Sequence, residues 1–137
     1  MLLGEKQELF AQLFARLVLF GVAQGYTVVI DEVARGLQQA EWNANHCQRC
    51  KRARGGHTGA HPFKPIGILE SLHRYRLAGD LLLFQRSATG KRVYLQDSKD
   101  YAVLGGWWVK QHALARWGGN FAAPDGGHFS ITHGGRS

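Results

Sequence analysis

The order in which helix-like and strand-like patterns follow one another limits this chain most. Leu9, Phe10, Leu13, Phe14 and Leu17 recur at three- and four-residue spacing. That is the period of one buried helix face, and it predicts a helix over residues 5 to 24. Gly25 stops it, and the β-branched run Tyr26-Thr-Val-Val-Ile30 predicts a strand. A second helix is expected over residues 36 to 45, opened by Gly36 and carrying Leu37, Ala40 and Trp42. Further on, Asp80-Leu-Leu-Leu-Phe84 and Arg92-Val-Tyr-Leu95 read as paired strands joined by the turn Ala88-Thr-Gly-Lys91. Ser98 caps a helix expected to reach about Arg116, although Gly105 and Gly106 weaken it. The segment His128-Phe-Ser-Ile-Thr132 ends the pattern as a short strand. Helices and strands do not alternate regularly, so the pattern favours an α+β fold, a small antiparallel sheet flanked by helices, over a doubly wound sheet.

The 137 residues suit a single domain over 1–137. Hydrophobic residues make up 45% and charged residues 20%, enough apolar surface to argue against intrinsic disorder. Two cysteines cannot build a disulfide-dense scaffold. No apolar run approaches the ~20 residues that span a bilayer. Glu5, Lys6, Glu8 and Arg16 interrupt the amino-terminal apolar stretch, so no signal peptide is expected and the chain is assigned to the cytoplasm of the host that makes it. The formal net charge of +7 suggests a polyanionic partner without choosing among nucleic acid, membrane surface and cell wall. Part of that charge lies in a long loop expected over residues 46–64, which holds five Lys and Arg residues and no acidic ones. Its run Arg49, Lys51, Arg52, Arg54 reads as a solvated face or as a contact for the anionic cell envelope.

Seven histidines prompt a search for metal ligands. There is no HExxH helix, which excludes the commonest zinc-protease signature. Two constellations remain: Ser71-Leu-His73 with Ala78-Gly-Asp80, and Asp125-Gly-Gly-His128. His73 and Asp80 are seven apart. On a helix they would lie roughly 10 Å apart along the axis, too far for ligands that each sit ~2 Å from one zinc ion. On one unbroken strand they would point to opposite faces. They can meet at a metal only if the chain turns between them and Asp80 begins the following strand. Asp125 and His128 sit in a glycine-rich loop whose spacing brings both into one pocket. These spacings permit a site without demanding one. His73 with Asp80 could be a hydrogen-bonded pair at a strand start, Asp125 a turn residue, and Arg35 half of a salt bridge.

The segment Ser71-Leu-His73-Arg-Tyr-Arg-Leu-Ala78-Gly-Asp80 resembles the SxHxxxxAxD motif of the zinc peptidoglycan peptidases that include D-alanyl-D-alanine carboxypeptidases and dipeptidases. Within that family it is most similar to the L-alanyl-D-glutamate endopeptidases used as phage endolysins. Their second motif, a tryptophan and two glycines followed by an acid-x-x-His-Phe, matches Trp117-Gly-Gly-Asn-Phe121 and Asp125-Gly-Gly-His128-Phe129. The resemblance runs from about Tyr26 to Ser130. It implies a zinc site at the sheet with ligands His73, Asp80 and His128, and Asp125 as the catalytic carboxylate. It also implies Arg35 as the arginine that stabilises an oxyanion, Ser71 as a residue orienting the site, and Trp117 at the substrate cleft. The implied partner is bacterial peptidoglycan, not nucleic acid, and the implied enzyme is a monomeric, bacteriolytic metallopeptidase that reaches the wall through a lesion made by another protein.

The chain departs from the family pattern at three places. Arg76 stands where many relatives have glycine, Gly79 where they have a larger residue, and Asp125 where the dipeptidases have glutamate. A D-alanyl carboxypeptidase of the same family is the alternative activity. Separately, Cys47-Gln-Arg-Cys50 with His57 and His61 could supply four tetrahedral ligands to a second, structural zinc; reduced thiols or a disulfide are the other readings of that pair. If that zinc organised the basic loop, the chain could instead be a small nucleic-acid-binding protein. That reading leaves the two motifs in register unexplained.

Overall fold

In a computed structural model, which describes residues 1–36, 38–39, 42 and 71–137, the amino-terminal stripe winds into helix α1, Leu3–Ala23. Glu5 accepts a hydrogen bond from the Leu2 backbone N–H at 2.6 Å, satisfying one of the free donors at the helix start. Phe10, Leu13, Phe14 and Leu17 are buried on one face, as their spacing requires. Gly25 takes a left-handed φ of 91°, which ends the helix and turns the chain into strand β1, Thr27–Glu32. None of the described helices is long and apolar enough to cross a membrane.

The sheet is built around β2, Ala78–Arg86. On one side β2 pairs with β1, from Thr27↔Phe84 to Glu32↔Asp80, with a bulge between Ile30 and Glu32. On its other side the far half pairs with β3, Arg92–Leu95, and the near half with β5, His128–Ile131. A three-residue strand β4, Ala115–Trp117, completes the sheet against β5. All four pairings are antiparallel. Alternation along β2 sends Gly79, Leu81 and Leu83 toward the helices and Ala78 and Asp80 to the opposite face. The helix-side face carries the core, where Phe10 stacks on Phe14 and meets Trp108 edge-on, and Trp108 meets Phe129 in turn.

The helix expected from Ser98 to Arg116 is shorter than its pattern. A 3₁₀ turn, Ser98–Tyr101, leads into α2, Ala102–Val109, and Arg116 lies in β4. Ser98 does not cap the helix; its hydroxyl accepts from the Gly126 N–H at 2.9 Å. The two glycines that weaken the helical pattern have a packing reason at Gly105. A Cβ there would lie 2.1 Å from the indole of Trp117. Of the helix expected over 36–45, Gln38, Gln39 and Trp42 are helical. The basic loop over 46–64, and with it Cys47, Cys50, His57 and His61, lies outside the described residues.

Candidate metal centre

His73 sits in a 3₁₀ turn, Leu72–Tyr75, capped by Ser71, whose Oγ accepts from the His73 backbone N–H at 3.3 Å. The turn ends at Arg76, a non-glycine residue in the left-handed region with φ 55° and ψ 39°. This reversal is the bend that the seven-residue spacing needs, and it places Asp80 third in β2 instead of leaving both residues on one element. Gln7 on α1 donates to the Tyr75 carbonyl at 2.8 Å, and the Arg35 N–H donates to the His73 carbonyl at 3.2 Å, so the turn is held from both sides.

His128 arrives by strand pairing. Asp80 and His128 are register partners across β2 and β5, which puts their side chains side by side on one face. Asp80 Oδ1 lies 3.0 Å from His128 Nδ1, and Asp80 Oδ2 lies 3.3 Å from His73 Nε2. The two imidazoles meet edge to face at 5.2 Å between centroids. One donor atom from each of the three residues falls within 4.8 Å of the others. A tetrahedral ion with ligands at ~2.0–2.1 Å has donor–donor edges of ~3.3 Å, and each histidine lies about that far from one of the two Asp80 oxygens. Two imidazoles and a carboxylate, as donors, would suit a zinc-like ion. Burial would raise the Asp80 carboxyl, but hydrogen bonds from His128 and His73 outweigh it and hold the group well below the usual carboxylate range.

Asp125 stands at the rim of this face. Its N–H donates to the Gly118 carbonyl at 2.9 Å and its carbonyl accepts from His128 N–H at 3.2 Å. Gly118 has no room for a side chain, since a Cβ would lie 2.2 Å from the Asp125 carbonyl oxygen. Partial desolvation pushes the Asp125 carboxyl up; the histidines pull it back in part, and the Asp80 charge adds to the rise. A cleft of about 230 Å³ opens beside it, with Asp31, Asp80, Tyr94, Gln96 and Ser98 among its walls.

Trp117 is half-buried, and its indole is wedged between Gly105 and Gly119. Its Nε1–H donates to the Gly126 carbonyl at 2.8 Å, one residue beyond Asp125. Arg35 is engaged by Glu32 through two hydrogen bonds, Nε to Oε1 at 2.9 Å and Nη2 to Oε2. The hydrogen bond to Glu32 raises the Arg35 pKa against burial, and the charges of Glu32 and Asp80 add to the rise, so the guanidinium lies within electrostatic reach of the triad. Glu32 is the residue that reading the sequence passed over; an acid three positions before Arg35 was the available signal. His133, five residues beyond His128, is half-buried against Tyr75, with 5.5 Å between ring centroids, and stands outside the triad.

An antiparallel sheet with helices on one face and a His–Asp–His cluster on the other defines the class of fold. No protein-family model matches the chain, and no curated protein matches it in sequence. Among solved structures the fold is similar to the Serratia marcescens L-Ala D-Glu endopeptidase ChiX, with 20% identity and a TM-score of 0.53. The match covers 89% of this chain and 79% of that one.

Proposed function

We propose that this chain is a zinc-dependent peptidoglycan hydrolase that cuts the stem peptide between L-alanine and D-glutamate. The observation that carries the reading is the convergence of His73, Asp80 and His128 donors beside a carboxylate of raised pKa. The likeness in fold to an enzyme described as an L-Ala D-Glu endopeptidase supports the choice of substrate.

His73 Nε2, an Asp80 oxygen and His128 Nδ1 are the ligands, and Ser71 steadies the first of them through its backbone N–H. Zinc held there would supply a Lewis acid that acidifies water and polarises the scissile carbonyl. Asp125 is the general base: it takes a proton from the attacking water and returns it to the departing amine. Hydrolysis consumes one water and leaves a carboxylate on L-alanine and a free amine on D-glutamate. Arg35, held by Glu32, supplies positive charge toward the oxyanion. Trp117 holds the Gly126 carbonyl and with it the loop bearing Asp125. On this reading the enzyme is made in the host cytoplasm and acts on the wall after release.

The test is mass spectrometry of purified peptidoglycan digested with and without a zinc chelator. Chelator-sensitive peptides beginning at D-glutamate are expected, and Asp125→Asn should reduce their formation by roughly 10²–10⁴-fold. Release of single D-alanine would move the activity to a carboxypeptidase. No cleavage by zinc-loaded protein would overturn the reading.

A further inference from the structure

Among the described residues, two buried side-chain atoms have no hydrogen-bond partner: His73 Nδ1 and Ser130 Oγ. His73 is 3% exposed and Ser130 is 0% exposed, so neither atom reaches bulk water. Buried polar groups are seldom left unpaired, because each then carries its whole desolvation cost. The two belong to the same neighbourhood. Ser130 lies two residues beyond His128 on β5 and opposite Ala78, two residues before Asp80 on β2. Strand alternation therefore puts Ser130 on the same sheet face as Asp80 and His128, one register step from the pair that His73 joins.

The chemistry of the two atoms is complementary. His73 turns Nε2 toward Asp80, at 3.3 Å, and that nitrogen must keep its lone pair free to ligate a cation. A neutral imidazole doing so carries its proton on Nδ1, and metal-binding histidines pass that proton to an acceptor behind them. Ser71 does not provide it: its hydroxyl accepts from the His73 backbone N–H and makes no hydrogen bond with Nδ1. Ser130 offers an unused hydroxyl oxygen. Its backbone is fixed, with the Trp108 indole N–H donating to the Ser130 carbonyl at 3.2 Å.

We propose that Ser130 is a positioning residue of the metal centre: its hydroxyl accepts the hydrogen bond of His73 Nδ1–H, directly after rotation about χ1 or through one enclosed water. This holds His73 in the tautomer that presents Nε2. The proposal rests on the reading of His73, Asp80 and His128 as a metal site.

The full chain and its Ser130→Ala variant are compared by three measurements. These are Zn²⁺ affinity by competition with a chromophoric chelator, the His73 ring nitrogens by long-range ¹H–¹⁵N NMR, and the urea midpoint. The Zn²⁺-loaded wild type should show the Nδ1–H tautomer. Ser130→Ala should bind Zn²⁺ about 10- to 100-fold more weakly, shift the His73 nitrogens and lower the urea midpoint. Should that variant not fold, Ser130→Cys, similar in shape but a poorer acceptor, should weaken Zn²⁺ binding in the same direction. Equal Zn²⁺ affinity with unchanged His73 shifts overturns the inference alone. So does a raised urea midpoint, the result expected from deleting a hydroxyl that bonds nothing. A wild-type chain that binds no Zn²⁺ overturns the metal reading and the inference together.

Discussion

The ring of Phe14 on α1 points its far edge at Gly79, filling the space a side chain there would need. A Cβ at Gly79 would sit 2.5 Å from Phe14 Cζ. This accounts for glycine next to a candidate ligand, and it ties the position of Asp80 to the packing of α1. Gly79→Ala should destabilise the protein by about 1–3 kcal/mol, the usual cost of overpacking a core. Combined with Phe14→Leu, which vacates part of the space, it should cost less than the sum of the single changes. A double-mutant cycle in urea should give a coupling of about 0.5–3 kcal/mol; simple additivity would count against the contact.

Arg76 holds a left-handed conformation at the bend between His73 and Asp80. For a residue with a Cβ this costs roughly 1–2 kcal/mol, and more for a branched one. Arg76→Gly should therefore leave the urea midpoint unchanged or raise it, while Arg76→Val should lower stability by about 1–3 kcal/mol. A midpoint lowered equally by both would mean that the arginine side chain, not the backbone angle, is what the site needs.

Tyr101 Oη donates to the Leu95 carbonyl and accepts from the Leu83 N–H, both at 3.1 Å. Burial pushes its pKa up to about 12 from 10.0, despite the backbone hydrogen bond from Leu83. The folded state thus prefers the protonated phenol. Its contribution is complete below pH 10 and fades as the pH rises from 10 to 12. Denaturation followed across that range should show wild-type stability falling more than that of Tyr101→Phe, which has no phenol to ionise. Parallel curves would exclude Tyr101 as the source.

If the His–Asp–His cluster holds zinc, Zn²⁺ should raise the melting temperature and a chelator should reverse it. Ion at a hundred times its dissociation constant adds ~2.7 kcal/mol to the folded state. Asp80→Asn and His128→Ala should abolish the shift, whereas Asp125→Asn, outside the donor set, should retain it. A shift that survives loss of His128 would place the ion elsewhere.

Segments with a strong period could be read from the sequence. The stripe from Leu9 to Leu17 became α1, and the apolar run after Asp80 became the strand at the centre of the sheet. The turn between His73 and Asp80 followed once the resemblance assigned both to one ion, because no straight element brings residues seven apart to it. The short elements were harder. Ala115–Trp117 is too brief to show alternation, and its first two residues were absorbed into a helix that ends at Val109. Gly105 looked like a weak point of that helix because its reason, the Trp117 indole, lies twelve residues away in sequence and against it in space. Arg35 was noticed without its partner, because an acid three positions away in an irregular segment belongs to no period that would single it out.

The order of pairing around β2 has a consequence for when the chain becomes competent. β3 meets β2 across a short turn, but the pairings of β2 with β1 and with β5 each join residues at least 48 apart, Glu32 with Asp80 and Asp80 with His128. Contacts of that separation close late, after the entropy of the intervening loop has been overcome. A chain still emerging from the ribosome, or opened at β5, holds two of the three donors and cannot complete the set. A complete donor set is thus a property of the finished fold.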